Sequence, residues 1–221
     1  MGDFLDALRF IVDERALLWQ LTVDHLALTG AAVGIALAIA LPLGILLGHA
    51  RRGAFLAINA ANIGRALPSL ALISLGVALL GIGFVNVMVA LVVLAVPPVL
   101  TNAYVAVAGV DRDAVDAARG MGMTPAEVLR KVELPLALPL IFAGVRTAVV
   151  YVIATATLAS VAGAHSLGDV IVDQATYRLP GVLGAAICVA ALALAAELLL
   201  AALQRAVVPP GLPTRERTRI P

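Results

Sequence analysis

Apolar residues run along this chain in blocks, with short polar stretches between them. A block of about 20 apolar residues carries an α-helix across roughly 30 Å of hydrocarbon. Read by length, the blocks predict spans at 26–47, 67–85, 87–107, 140–162 and 182–203, five helices in all. Residues 48–65 hold Arg51, Arg52, Asn59, Asn62 and Arg65, too polar a set to face lipid along its whole length. They predict an interfacial segment leading into the second span, where Pro68 and Ser69 follow and the proline introduces a kink. The longest polar connection is 111–139. The first 25 residues are amphipathic and acidic, with Asp3, Asp6, Asp13 and Glu14, and lack the basic start and compact apolar centre of a cleavable signal. The expected organisation is an N-terminal segment 1–25, a membrane domain 26–205 and a polar tail 206–221.

Composition agrees with an all-α polytopic membrane protein. Hydrophobic residues make up 62% and charged residues 13%, against about 25% charged in soluble domains. A net charge of +1 gives no general attraction to nucleic acid, so the placement of the cations matters more than their number. One set of connections receives Arg51, Arg52, Arg112, Arg119, Arg130, Lys131, Arg205, Arg215, Arg217 and Arg219; the other receives only Arg9, Arg15 and Arg178. The bias of cations toward the inner side predicts an outside N-terminus, an inside C-terminus and a cytoplasmic 111–139 connection. Cys188 lies in an apolar run and is expected to be an inert buried thiol.

Small residues recur four apart, a spacing that lets helix backbones approach. Gly30, Gly34 and Ala38 in the first span read as bundle packing. Thr155, Ala159 and Gly163 in the fourth, with the hydroxyls of Thr157 and Ser160, mark a candidate pathway or subunit-interface helix.

The connection 111–139 carries the strongest local signals. Asp111 caps a short helix that Gly120 and Gly122 end. Thr124 then stands as an N-cap, Pro125 fits the first helical position, and Glu127 completes a capping box. Arg130 and Lys131 suit the C-terminal end of that second helix, and Leu134-Pro135 is expected to close it. Flexible connections cost little free energy, so this much ordering points to a rigid helix–turn–helix through which force passes.

Asp116-Ala117-Ala118, then Gly122, Val132 and Leu134-Pro135, resembles the signature loop of permease subunits in binding-protein-dependent ABC importers. That pattern is Glu-Ala-Ala, three residues, Gly, nine residues, Ile, one residue, Leu-Pro; the spacing here is intact, with Asp for Glu and Val for Ile. The stretch from Asn62 to Ala71 and the runs Gly144-Val-Arg-Thr-Ala148 and Ala154-Thr-Ala-Thr-Leu-Ala159 resemble the permeases for glycine betaine, choline and carnitine. The related methionine importers share the loop and the Asn-Ile-x-Arg-x-x-Pro run at 62–68, and form the alternative. The resemblance implies the type I importer permease fold and a coupling helix seated on a cytoplasmic ATPase subunit. It implicates Asp116, Ala117, Ala118, Gly122 and the helix from Pro125. It further implies a second permease subunit, identical or sister, and an extracytoplasmic solute-binding protein, with ATP and Mg held by the ATPase partner.

Other classes fit less well. The chain has no phosphate-binding Gly-x-x-x-x-Gly-Lys-Ser/Thr loop, and its one lysine, Lys131, lies in the coupling segment. No His-Glu-x-x-His or Cys/His grouping suggests a metal or an enzyme, since His25, His49 and His165 are dispersed. A secondary transporter or channel would place acidic or histidine relays or inverted broken helices mid-membrane. Glu197 is expected to pair with an arginine or snorkel. Arg146, about two turns into the fourth expected span, is expected to be structural or gating, to meet a substrate carboxylate, or to reach the headgroups. Aromatic residues are only 4%, with Tyr104, Tyr151 and Tyr177 scattered, so no aromatic cage for a quaternary ammonium can be assigned.

Overall fold

The computed structural model describes residues 2–66 and 68–208. Among them every regular element is helical: α1 (Gly2–Asp13), α2 (Arg15–His49), α3 (Ala54–Ala66), α4 (Ser69–Leu80), α5 (Phe84–Ala108), α6 (Arg112–Gly120), α7 (Pro125–Val128), α8 (Leu134–Thr155), α9 (Gly168–Val172) and α10 (Gln174–Val207). Four helical stretches are long and apolar enough to cross a membrane: Arg15–His49, Phe84–Ala108, Pro125–Ala162 and Gln174–Val207.

α5 is the hub, packing against α2, α3, α4 and α8. It has no charged residue, and its buried side includes Val87, Ala90, Leu91, Leu94 and Ala95. α2 lies against it through small residues four apart, Ala32, Ala36, Ala40, Gly44 and Gly48. A Cβ on Gly44 would stand 2.7 Å from Leu100 O, and one on Gly48 2.9 Å from Tyr104 O, so this face can hold nothing larger without separating the helices. The packing stripe is thus not the expected Gly30, Gly34 and Ala38, which is exposed, with open space around both glycines.

The first helix also begins earlier than expected. α2 starts at Arg15, so the boundary at residue 25 falls inside it: Leu17, Leu18 and Leu21 continue the apolar surface, and His25 is buried, donating from Nε2 to Ile153 O at 3.0 Å. α1 packs along the start of α10, where Phe10 meets Tyr177 edge-on with ring centroids 6.0 Å apart.

The second expected span is a broken one. Its C-terminal part ends at Leu80, because Gly81 and Gly83 turn the chain with φ of 81° and 141°, and Val85 belongs to α5. The segment before it, expected to be interfacial, is the helix α3, which is more than an interfacial approach because it packs on α5. Thr101 Oγ1 of α5 donates to Ala57 O at 3.0 Å, and Gly64 packs on Pro97. α3 and α4, separated at Pro68, together run alongside α5, with Gly76 against Asn86 at the far end.

The third departure is continuity. Leu134-Pro135 does not close the coupling helix; α7 passes through a π-helical turn, Leu129–Glu133, straight into α8. Pro135 has no N–H to donate, and its ring would press on the preceding turn of a regular α-helix; the wider turn, with Leu134 N–H bonded to Leu129 O, absorbs both. At the other end Ala156–Ala162 tightens to a 3₁₀ helix and Gly163, with φ of 80°, ends it. α10 is the least embedded of the four membrane-length stretches, lying on α8, α1 and α9, and turns at Arg178 (φ 52°) just before Pro180.

Candidate functional site

The segment from Asp111 to Glu133 sits at the arginine-rich end of the bundle, and its local structure is the one its residues predict. Asp111 accepts from Asp113 N–H at 3.0 Å and caps α6. α6 ends at Gly120, and Gly122 (φ 84°) reverses the chain. Thr124 caps α7, with its hydroxyl accepting from Glu127 N–H while Glu127 Oε2 accepts from Thr124 N–H at 3.0 Å. Lys131 Nζ then donates to Glu127 Oε1 at 2.8 Å, and Arg119 pairs loosely with Asp116 at 3.8 Å.

Val110, Val115, Ala118 and Val128 form a small core beneath this turn. Of the residues singled out by the motif, Asp116, Ala117, Gly122, Thr124, Pro125 and Arg130 therefore face outward, whereas Ala118 is part of the scaffold and Leu134 and Pro135 are half-buried at the π turn. The tip carries one residue the motif did not mark. Met121, between two glycines, is 72% exposed, an apolar knob on an otherwise polar surface.

Two contacts anchor the segment to the helices around it. Glu133, only 1% exposed, accepts from His49 Nδ1 at 2.5 Å, joining the end of α2 to the start of α8. Arg51, at φ 49°, donates from Nη2 to Val110 O at 3.2 Å. Neither tie has a local sequence signal: His49 and Glu133 are 84 residues apart. The apolar spacing 115/118 and the exposed Met121 were readable locally.

The candidate pathway residues do not come together. The side chain of Arg65 lies outside the described residues; its backbone is in α3. Pro68 is the extended residue before α4, and Ser69 opens that helix. Thr155 is buried inside the bundle. Thr157 donates to Ala154 O at 2.8 Å, and Ser160 meets Ser166 at 3.2 Å beneath the 163–168 turn, so these hydroxyls hold local structure at the end opposite the coupling segment. There His165 Nδ1 donates to Asp169 Oδ2 at 2.9 Å; that hydrogen bond and the carboxylate's charge, with a smaller contribution from Asp24, raise the imidazole above its ordinary value.

Arg146 is deeper than expected, because α8 begins before the fourth expected span. Twelve residues from Leu134 put it roughly 18 Å along the helix axis. Its Nη1 lies 3.4 Å from Glu197 Oε1 of α10, which answers the expected pairing of Glu197 with an arginine.

Two grooves open along this edge of α8. One of about 530 Å³ is lined by α3, α5 and α8, including Pro97, Pro98, Thr101 and Asn102. The other, about 740 Å³, lies between α8 and α10 and is bordered by Arg146 and Glu197. Thr147 and Tyr151 line both. Tyr151, one of three scattered tyrosines in the sequence, is thus the aromatic residue on this wall.

Comparison with known proteins gives a consistent picture. Residues 40–209 match the family described as binding-protein-dependent transport system inner membrane component. The choline transport system permease protein OpuBB of Bacillus subtilis (strain 168) is 40% identical over 192 residues, covering 86% of this chain and 88% of that protein. The carnitine transport permease protein OpuCB of Listeria monocytogenes is 39% identical, covering 85% and 87%. Among solved structures, the MetNI methionine ABC transporter in an inward-facing conformation matches with a TM-score of 0.76 at 24% identity, covering 89% of this chain and 99% of that one; at that identity the likeness shows the fold alone.

Proposed function

The chain belongs to the binding-protein-dependent transport system inner membrane components, and on that premise we propose that it is the translocating subunit of an ATP-driven importer for quaternary-ammonium osmoprotectants. Its family works with an ATP-hydrolysing subunit and a solute-binding protein, so the chain is one multi-pass inner-membrane part of a larger system. The relatives named for choline and carnitine, at about 40% identity over most of both chains, support that solute class over the methionine alternative.

One observation carries the coupling role: the capped turn from Asp116 to Arg130 presents Asp116, Ala117 and Gly122 outward and runs without interruption into a membrane-length helix. In the orientation that the arginine distribution supports, this end is cytoplasmic. Closure of two ATPase subunits on ATP pulls the face formed by Asp116, Ala117, Met121, Gly122, Thr124 and Pro125. The pull travels along α7, the π turn and α8, while the His49–Glu133 contact carries it to α2. Rocking of two such permease subunits, identical or sister, then exposes the pathway alternately to the receptor side and to the cytosol. Chemistry stays on the ATPase; this chain transmits and translocates. α1 and the connection 163–173 face the receptor, and the expected tail 206–221 is cytoplasmic.

The test is uptake of radiolabelled glycine betaine, choline, carnitine and methionine into vesicles that hold this chain with its ATPase and receptor. ATP-dependent accumulation of the first three is expected. Accumulation of methionine alone, or solute movement without any second polypeptide, would refute the reading.

A further inference from the structure

α5 carries no charged residue, α8 carries only Arg146, and α10 carries Glu197 between Arg178 and Arg205 near its ends. Arg146 and Glu197 therefore put opposite charges on an otherwise apolar wall. They are incompletely satisfied there. The Nη1–Oε1 separation of 3.4 Å is a single ion-pair contact rather than a two-bond fork, and Arg146 Nε is buried with no partner. Donors left unmet in such surroundings are costly.

Three neutral polar groups of the adjoining groove behave differently, because each already donates within the chain. Thr101 bonds Ala57 O, Asn102 Nδ2 bonds Pro98 O at 2.8 Å and Thr147 bonds Ala143 O at 2.9 Å. Among the groove residues, the buried donor left without a partner is thus the guanidinium Nε. Both charged side chains are reachable from the groove, at 29% and 38% exposure.

Adjacent opposite charges beside a groove complement a small molecule that carries opposite charges side by side. Resting on the osmoprotectant reading above, we infer that Arg146 and Glu197 form a charge clamp for zwitterionic solutes. Arg146 takes the carboxylate, while Glu197 and the ring of Tyr151 face the ammonium. A cation without a carboxylate, such as choline, meets only the Glu197 and Tyr151 half. The clamp is therefore a specificity device that separates betaine and carnitine from choline inside the membrane, after the receptor has released them.

The experiment compares uptake of glycine betaine, carnitine, methionine and choline by the complete importer in proteoliposomes, for wild type, Arg146→Gln, Arg146→Lys and Glu197→Gln. Arg146→Gln is expected to raise the half-saturating concentration of the carboxylate-bearing solutes roughly ten- to a hundredfold, as for loss of a charge-assisted contact, while choline stays within about twofold. Arg146→Lys recovers part of the loss, and Glu197→Gln weakens choline and zwitterions alike. Basal ATPase activity reports assembly of each variant; if Arg146→Gln does not assemble, Arg146→Lys carries the test with the same split at smaller size. An equal fall for choline and zwitterions, no fall at all, or a wild type that moves choline alone overturns the clamp and leaves the importer reading standing. A wild type that moves none of the four solutes overturns both.

Discussion

At Glu133, where α7 passes into α8, a carboxylate is buried and met by His49 at 2.5 Å, and the turn around it is capped, cored and tied to α2. Farther along the same helix, Arg146 stands at an open groove with one long contact and an unpartnered Nε. Polar groups in the first stretch are satisfied within the chain, which makes it stiff; those in the second are left for something else to satisfy. A subunit that receives force at one place and handles solute at another has reason to differ in this way. On the proposed reading, the lever must not yield, whereas the wall must bind and release.

The contrast can be broken most directly at its tight end. Glu133→Ala should lower stability by about 1–3 kcal/mol, since it empties a buried site and leaves part-exposed His49 without its acceptor, and should abolish solute-stimulated ATP hydrolysis. Thermal unfolding of the detergent-purified subunit measures the first effect, and a silent variant would mean that the tie bears no strain. Next comes the α2–α5 seam. Gly44→Val should cost about 1–3 kcal/mol by forcing the helices apart. Gly34→Val, on the open face of the same helix, should leave the isolated subunit within about 0.5 kcal/mol of wild type. Equal losses in the same assay would erase the distinction between the two faces.

Thr124→Ala should cost about 1 kcal/mol of local stability, visible as faster amide exchange confined to 124–128, with weaker coupling of hydrolysis to uptake. Protection unchanged there would show that the capping box is dispensable. The smallest effect is expected at the opposite end. His165 should titrate above its ordinary value of 6.5 by NMR and return toward it in Asp169→Asn. Because its folded pKa is raised, the stabilisation is fully present below 6.5 and disappears as pH rises through the higher folded value. A titration at or below 6.5 would remove the pair from consideration.

The coupling turn was legible almost residue by residue, because caps, glycine reversals and the capping box act over three or four positions. Its end was misread: Leu134-Pro135 looks like a stop, yet a π turn accommodates the proline and the helix continues. The interruption at Pro68 was legible, but the packing of the segment before it was not, since whether α3 lies along α5 depends on Ala57 and Gly64 meeting Thr101 and Pro97. Of the pathway candidates, Arg146 lines a groove; Thr155, Thr157 and Ser160 were chosen for hydroxyl content, which says nothing about the face they occupy.

By itself the sequence determined a helical membrane chain, the bias of cations to one end and the capped turn, since apolar length, charge placement and capping are read over neighbouring residues. Only the tertiary structure decided which sides of the helices touch. In a membrane the outside of a helix is as apolar as the inside, so the stripes Gly30/Gly34/Ala38 and Ala32/Ala36/Ala40 look equally suited to packing until α5 is set against one of them. The same holds for His49 with Glu133 and Arg146 with Glu197, pairs far apart in the chain that become neighbours only when the helices assemble.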